Sequence, residues 1–396
     1  MAKYLVLILA ALPVFAQGTF TAGEAVAMAL GGHPALRAAG HATDEERGAA
    51  LQAGLPPNPE VEAGVEAFRS GDDHELLVGV SQTLPVSGAR RAARRAALLG
   101  VDAAERQAGA LQKELAAEVR RLFHETLAAG ERVRLAEAAR ADAEETARLM
   151  RVRHEKGDAP EMDAMRADAE HGRRRADAAR AGRTRESLRA RLAELCGVMP
   201  DALPECAGAL APAPEEVPEA EVLRARLEAT PRHAARVLRE GQAKTETEAA
   251  RRAGFPEPTL RAGLRRDNAS GTNSLDFGVG IALPLFDRNQ GTVAAARARA
   301  QRLAAENESA LRGELRRAME LRGEAASALD AAARLRGEVI PRYQEVCAAA
   351  EKALEIGGAT LFELIAARDE FNRARMELLE CEAAARAALV ELEALL

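Results

Sequence analysis

The residues able to ligate a metal, carry a redox couple or act as a nucleophile are few, and their spacing suits none of those roles. The four cysteines, Cys196, Cys206, Cys347 and Cys381, form no C-x-x-C pair, and none of the seven histidines falls into an H-x-x-x-H or H-E-x-x-H arrangement. A zinc or redox centre needs ligands that one turn or loop brings together, so neither is expected, and no cofactor is implied. No nucleophile–base constellation appears, which argues against an enzyme. Nucleic acid is excluded as a partner by 55 Lys plus Arg against 61 Asp plus Glu, a formal charge of −6, and by the shortage of aromatic rings for base stacking.

With catalysis set aside, the elements carry the reading. The 396 residues are 47% hydrophobic but only 3% aromatic, with no Trp, two Tyr and nine Phe. Such a composition, rich in Ala and charged residues, favours long helices packed closely side by side over a globular core filled with large side chains. The first residues read Met1-Ala2-Lys3, an apolar run from Tyr4 to Phe15, and Val14-Phe15-Ala16 ahead of Gln17. That pattern predicts a signal peptide over 1–16, too short to span a bilayer and not followed by a lipid-bearing Cys. An exported chain without an apolar helix is a soluble periplasmic or secreted protein, or an outer-membrane barrel.

The chain then reads as one unit repeated. Residues 17–198 form the first repeat: a helix over 21–53, a Pro-rich break at 55–59, strands near 60–68 and 75–84, an unbroken helical pattern over 87–155, a turn at 156–160 and a helix to about 195. A Pro-rich linker occupies 199–218. The second repeat, 219–396, runs in the same order: a helix over 219–252, strands near 258–266 and 274–283, a helix over 290–355, a turn at 357–359 and a helix over 360–395. Gly79, Leu84 and Pro85 recur 199 residues later as Gly278, Leu283 and Pro284, and Gly157 recurs 200 residues later as Gly357.

A helix from 87 to 155 is a rod of about 100 Å at 1.5 Å per residue. Its small apolar residues, such as Leu115, Val119, Leu122, Ala129 and Val133, recur at coiled-coil spacing. The strands alternate apolar and polar residues and are long enough to cross a bilayer when tilted. Glu62, Glu66, Arg261 and Arg265 fall on their polar face and are expected to line water. Two hairpins cannot close a barrel, and lipid forbids open edges, so several copies must share one.

These residues resemble the TolC-like outer-membrane efflux proteins over about 20–395. The resemblance rests on His33-Pro34-Ala35-Leu36, Leu55-Pro56-Pro57-Asn58-Pro59, the run from Gly79 to Pro85 with Gly88, Arg90 and Arg91, and most specifically the run from Gly278 to Gly291. It is nearest to the heavy-metal (cation) efflux branch. The fold it implies is mainly α with a small β part: a trimeric α/β barrel channel with a twelve-stranded outer-membrane barrel and a periplasmic coiled-coil helical tunnel. It also implies a homotrimer in outer-membrane lipid of a Gram-negative-type cell, docked on a periplasmic adaptor protein and an inner-membrane pump, exporting metal cations passively. The alternatives are a channel for drug efflux or type I protein secretion, and a periplasmic coiled-coil adaptor or scaffold.

The family meets its adaptor at the hairpin tips, here Arg153, Lys156, Gly157, Asp158, Gly357, Gly358 and Thr360; the plainer reading is that these only end helices. Family members often carry an acidic tunnel gate six residues after the glycine, which is Glu363 here, with Asp163 matching it in the first repeat. A second acidic position three residues on is Ala366, and an acidic helix residue is also commonly just solvated. Cys196 and Cys206 flank the linker and are a possible disulfide in an oxidising periplasm, whereas Cys347 and Cys381 are set too far apart along their hairpin. Pro341 should bend its helix. A Trp-free barrel lacks the usual aromatic girdle, leaving Phe68, Phe255, Phe277 and Phe286 as candidates for it.

Overall fold

The computed structural model describes residues 19–66, 74–268 and 270–396; the signal segment 1–16 and Phe68 lie outside them. In order the elements are β1 (Thr19–Phe20), α1 (Ala22–Leu30), α2 (Pro34–Gly54), β2 (Glu60–Glu66), β3 (Glu75–Thr83), α3 (Ala89–Glu155), α4 (Glu161–Cys196), β4 (Glu205–Cys206), α5 (Ala220–Glu228), α6 (Pro231–Ala253), β5 (Thr259–Asp267), β6 (Thr272–Gly280), α7 (Gln290–Arg334), α8 (Ile340–Glu355) and α9 (Leu361–Leu395). No helix among the described residues is long and apolar enough to cross a membrane. Two compact units divide the chain: one from Pro34–Leu111 and Arg224–Leu315, the other from Gln112–Leu223, Arg316–Leu396 and the described part of Met1–His33.

Three helical stretches differ from their sequence reading. The helix expected over 21–53 is two helices: a Thr21/Glu24 capping box starts α1, and Gly31-Gly32 ends it before Pro34 opens α2. The helix expected over 219–252 breaks at Thr230, whose side chain caps α6 by accepting from the His233 N–H, with Pro231 at the first helical position, where its missing N–H costs nothing. Ahead of Pro341, where the sequence leads one to expect a bend, the structure has a single π-helical turn, Leu335–Val339, before the helix that restarts at Ile340. Proline lacks the N–H that would bond the carbonyl four residues back, and the wider turn absorbs the mismatch.

In the first unit the strands form one four-stranded antiparallel sheet, ordered β2-β3-β5-β6. The two hairpins join edge to edge through the β3–β5 ladder, which pairs Glu75 with Asp267 at one end and Thr83 with Thr259 at the other. Helices are tied beside it by charged forks: Nη1 and Nη2 of Arg236 reach Glu314 at 2.8 and 2.6 Å, and Arg239 reaches Glu46 at 3.0 Å. The run from Phe286 to Gln290 turns the chain into α7. Asp287 accepts from the Asn289 N–H, Gln290 accepts from the Arg288 N–H, and the Asn289 amide donates to the Ala250 carbonyl at 2.7 Å, locking the turn to the end of α6. Asn289 takes a positive φ of 60°. At the same junction a Cβ on Gly254 would lie 2.5 Å from the Arg288 carbonyl oxygen. We expect Gly254→Ala to cost about 1–3 kcal/mol by forcing that backbone apart, read as a lowered thermal midpoint.

In the second unit, small side chains fill the seams of α3, α4, α8 and α9. The linker is strapped down rather than loose. β1 pairs in parallel with β4, and Phe20 is wholly buried, edge-on against Phe123 with ring centroids 5.5 Å apart. Arg189 of α4 donates to the carbonyls of Pro200, Leu203 and Pro204, and Arg386 of α9 donates to the Leu210 carbonyl and to Glu216.

Candidate functional site: a two-faced sheet and a four-helix tip

The sheet has two chemically opposite faces. Successive rungs on one face are Val61/Val80/Ala262/Phe277, Ala63/Val78/Leu264/Leu275 and Val65/Leu76/Arg266/Asn273. Polar side chains occur on this face only toward its two ends, in the last of these rungs next to the hairpin turns and at Gln82 of the Gln82/Leu260/Val279 rung at the other end. The rungs between them are Glu60/Ser81/Arg261/Gly278, Glu62/Gly79/Gly263/Asp276, Gly64/Leu77/Arg265/Ser274 and Glu66/Glu75/Asp267/Thr272. Glu62, Glu66, Arg261 and Arg265 therefore share one face.

Exposure follows the apolar face. Phe277 is 79% and Val61 74% exposed, while along β3 the polar-face positions Glu75, Leu77 and Gly79 are half-buried. That inverts the rule for a sheet in water and suits one whose apolar side meets lipid. β6 ends at Gly280, so Ile281 and Leu283, expected to continue the strand, lie beyond the ladder; Pro284 follows, without an N–H for any ladder.

The polar face holds six carboxylates (Glu60, Glu62, Glu66, Glu75, Asp267, Asp276) against two arginines, a net charge of −4. Arg265 is shared by three of them, with Glu75 at 2.6 Å, Asp276 at 2.9 Å and Glu66 at 3.6 Å. Gly79 and Gly263 face each other in the next rung, where a Cβ on either would come 3.3 Å from a backbone oxygen of the other strand.

The hairpin tips lie in the other unit. Gly157 and Gly357 both adopt left-handed backbone, with φ of 82° and 75°. Each ends its helix with the same bond pattern: the Asp158 N–H donates to Arg153 O at 2.8 Å, and the Gly358 N–H to Ala353 O at 2.7 Å. The tips converge on one apolar cluster from four helices, made by Ala147, Met150, Ala164, Ala167, Leu354, Leu361 and Leu364.

Lys156, Gly157, Asp158, Gly357, Gly358 and Thr360 are exposed. Arg153 is half-buried and donates to the Leu354 carbonyl of the other hairpin, so it ties the two tips together. The sequence reading passed over the large apolar residues beside these turns: Ile356 is 85%, Phe362 69% and Met165 66% exposed.

Glu363 serves its own helix first. Its carboxylate accepts from the Thr360 N–H at 2.7 Å and hydroxyl at 3.0 Å, completing a capping box at the start of α9. The Thr-x-x-Glu spacing that signals such a box is visible in the sequence. The Thr360 N–H, then its hydroxyl, hold Glu363 below the ordinary glutamate range. Asp163 is half-buried, and α4 starts at Pro160 with no side-chain cap.

Deeper along the same helices sits a charged lattice. Arg368 of α9 donates to Thr146 Oγ1 at 2.6 Å and Asp142 O at 3.1 Å on α3, and to Glu351 of α8 at 2.7 Å. Its neighbour Asp369 takes Arg173 and Arg174 of α4, which also hold Glu170. Burial opposes ionisation of Glu170, but the two guanidiniums outweigh it and keep its pKa lowered. No group of three or more potential His, Cys, Asp or Glu metal ligands occurs among the described residues. Cys196 and Cys206 are free thiols in the structure, as are Cys347 and Cys381.

A membrane-facing sheet with a charged reverse side, carried on long close-packed helices, defines an outer-membrane channel. The chain belongs to the outer membrane efflux protein family, which matches residues 25–198 and again 223–396, once on each half. Among its relatives, the cobalt-zinc-cadmium resistance protein CzcC of Cupriavidus metallidurans is 30% identical over 381 residues, covering 93% of this chain and 88% of that one. The same fold is seen in a membrane protein from Pseudomonas aeruginosa, at a TM-score of 0.80 and 22% identity over 94% of this chain and 93% of that one. It is seen also in the outer membrane protein VceC from Vibrio cholerae, at 0.80 and 19% identity over 94% and 95%.

Proposed function

We propose that three copies of this chain close a twelve-stranded barrel and form the passive outer-membrane conduit for divalent metal cations, docked through the hairpin tips on a periplasmic adaptor and an inner-membrane pump. The observation that carries this reading is the net −4 of the polar sheet face, which becomes −12 around a threefold lumen. A water-filled passage lined by one sign of charge concentrates the opposite sign. The two open strand edges, β2 and β6, supply the need for partner copies. The 30% identity to a cobalt-zinc-cadmium resistance protein supports the same substrate class. The conduit performs no chemistry; the driving energy comes from the pump.

Deletion of the gene is expected to sensitise cells to zinc, cobalt or cadmium, with tolerance restored by the intact chain. Unchanged metal tolerance together with new sensitivity to organic drugs would instead make it a drug-efflux channel.

At the tip, Glu363 forms a ring of three carboxylates at the tunnel mouth. Because its pKa is depressed, its charge and its share of cap stability are complete above the ordinary glutamate range and are lost only as pH falls through the lowered value. Glu363→Gln should therefore reduce cation preference in planar bilayers at neutral pH and remove the acid-side titration of that preference. Equal currents and pH profiles in both proteins would exclude the ring.

A further inference from the structure

We infer that Cys196 and Cys206, free thiols in the structure, become a disulfide in the exported protein that staples the inter-repeat linker to the end of α4, beside the N-terminal strand. This rests on the periplasmic placement of the helical part and is independent of the substrate. Both cysteines converge on one short segment. Cys206 pairs with Phe20 in the β1–β4 ladder, and the Ala207 N–H donates to Phe20 O at 3.0 Å. The Cys196 thiol donates to Ala25 O at 3.8 Å, and Ala25 itself bonds back to Thr21 O at 3.0 Å through the first turn of α1. A single capped turn thus separates the backbone of Phe20, which pairs with Cys206, from that of Ala25, which the Cys196 thiol contacts.

The chain between the cysteines is already folded back. Gly197 reverses direction in left-handed backbone at φ 70°, and Arg189 clamps the carbonyls of Pro200, Leu203 and Pro204 onto α4, while Arg185 and Arg189 both hold Glu205. The short loop 196–206 is closed in the native state with or without the bond, so the bridge removes freedom chiefly from the unfolded chain. Cys347 and Cys381 lack such a shared anchor.

The oxidant is a protein disulfide of the thiol–disulfide carrier class. One cysteine thiolate attacks a carrier sulfur, forming a mixed disulfide and expelling one carrier thiolate; the second cysteine thiolate attacks the mixed disulfide and expels the other. The chain loses two protons and two electrons, and the carrier leaves as a dithiol. Burial pushes the folded-state thiols up, Cys196 to about 11 and Cys206 to about 12, which leaves little thiolate once the chain has folded.

Trypsin leaves both cysteines in one peptide, 192–224, because no Lys or Arg lies between Leu192 and Arg224. The full-length protein, taken from membranes without reductant, denatured and alkylated, should yield this peptide about 2 Da below its reduced mass and without label. Cleavage after Glu205 should leave two halves joined until reductant is added, with Cys347 and Cys381 labelled throughout. In the Cys196→Ser variant Cys206 should take up the label in full. Label on both Cys196 and Cys206 in the unreduced parent overturns the pairing, as does a Cys206 that stays protected in Cys196→Ser.

Discussion

Glu60→Gln together with Glu62→Gln should lower the cation-over-anion permeability ratio several-fold, read as a reversal potential under a salt gradient across a planar bilayer. Both residues lie on β2, in rungs of the polar face, and stand outside the Arg265 cluster, so their loss leaves the ion pairs of Arg265 with Glu75 and Asp276 intact. The double change halves the face from −4 to −2 per chain. Fixed charge in a confined passage raises counter-ion concentration by about tenfold or more, so halving that charge is felt as a large fraction of the selectivity. Arg261→Gln, on the same face, makes the net charge more negative and should move the ratio the other way. Raising salt to about 1 M shrinks the screening length to about 3 Å and should bring all three proteins together. Unchanged reversal potentials in both variants would mean that this face does not line the ion path.

Leu264→Arg should abolish assembly in the membrane. Leu264 occupies an interior rung of the apolar face, between Val78 and Leu275, and is 59% exposed. An arginine near the bilayer midplane costs about 2–4 kcal/mol in a barrel strand, and a threefold assembly bears that cost three times. The variant should be lost from the outer-membrane fraction and lack a heat-modifiable trimer band on gels. Ser274→Arg is the control: it lies one rung away on the opposite face, across from Arg265, where water and the carboxylates accept a further cation. If Leu264→Arg assembles and Ser274→Arg does not, the faces are assigned the wrong way round; if both assemble equally well, neither face meets lipid.

The tip rests on different physics. Arg368 and Asp369 are adjacent on α9, yet Arg368 engages α3 and α8 while Asp369 engages α4. Any separation of the hairpins must break charge-assisted bonds to half-buried groups, which are stronger than exposed pairs because water competes less for them. Such a lattice holds one arrangement of the four helices, and the Arg153 bond to the Leu354 carbonyl closes the same bundle nearer the tip.

What backbone periodicity writes into neighbouring residues is legible without the fold. Alternation with period 2 marks the strands and assigns Glu62, Glu66, Arg261 and Arg265 to one face; helical spacing marks the rods; paired glycines mark both tips; and the 200-residue echo marks the duplication. Local signals were also present where the reading missed them, at Thr230-Pro231, at Gly31-Gly32 and in the Thr360-x-x-Glu363 box, because a long amphipathic pattern runs across a cap without changing phase.

The pairing of β3 with β5, uniting hairpins nearly two hundred residues apart, and the gathering of carboxylates from three different strands by one arginine, Arg265, come from the closed fold. The same holds for Arg153 turning inward to the second hairpin while Ile356 and Phe362 stay exposed. Such pairings leave no periodic trace. They arise because apolar surface and unsatisfied backbone from distant segments must be covered at once, and which charges then meet is settled by that closure.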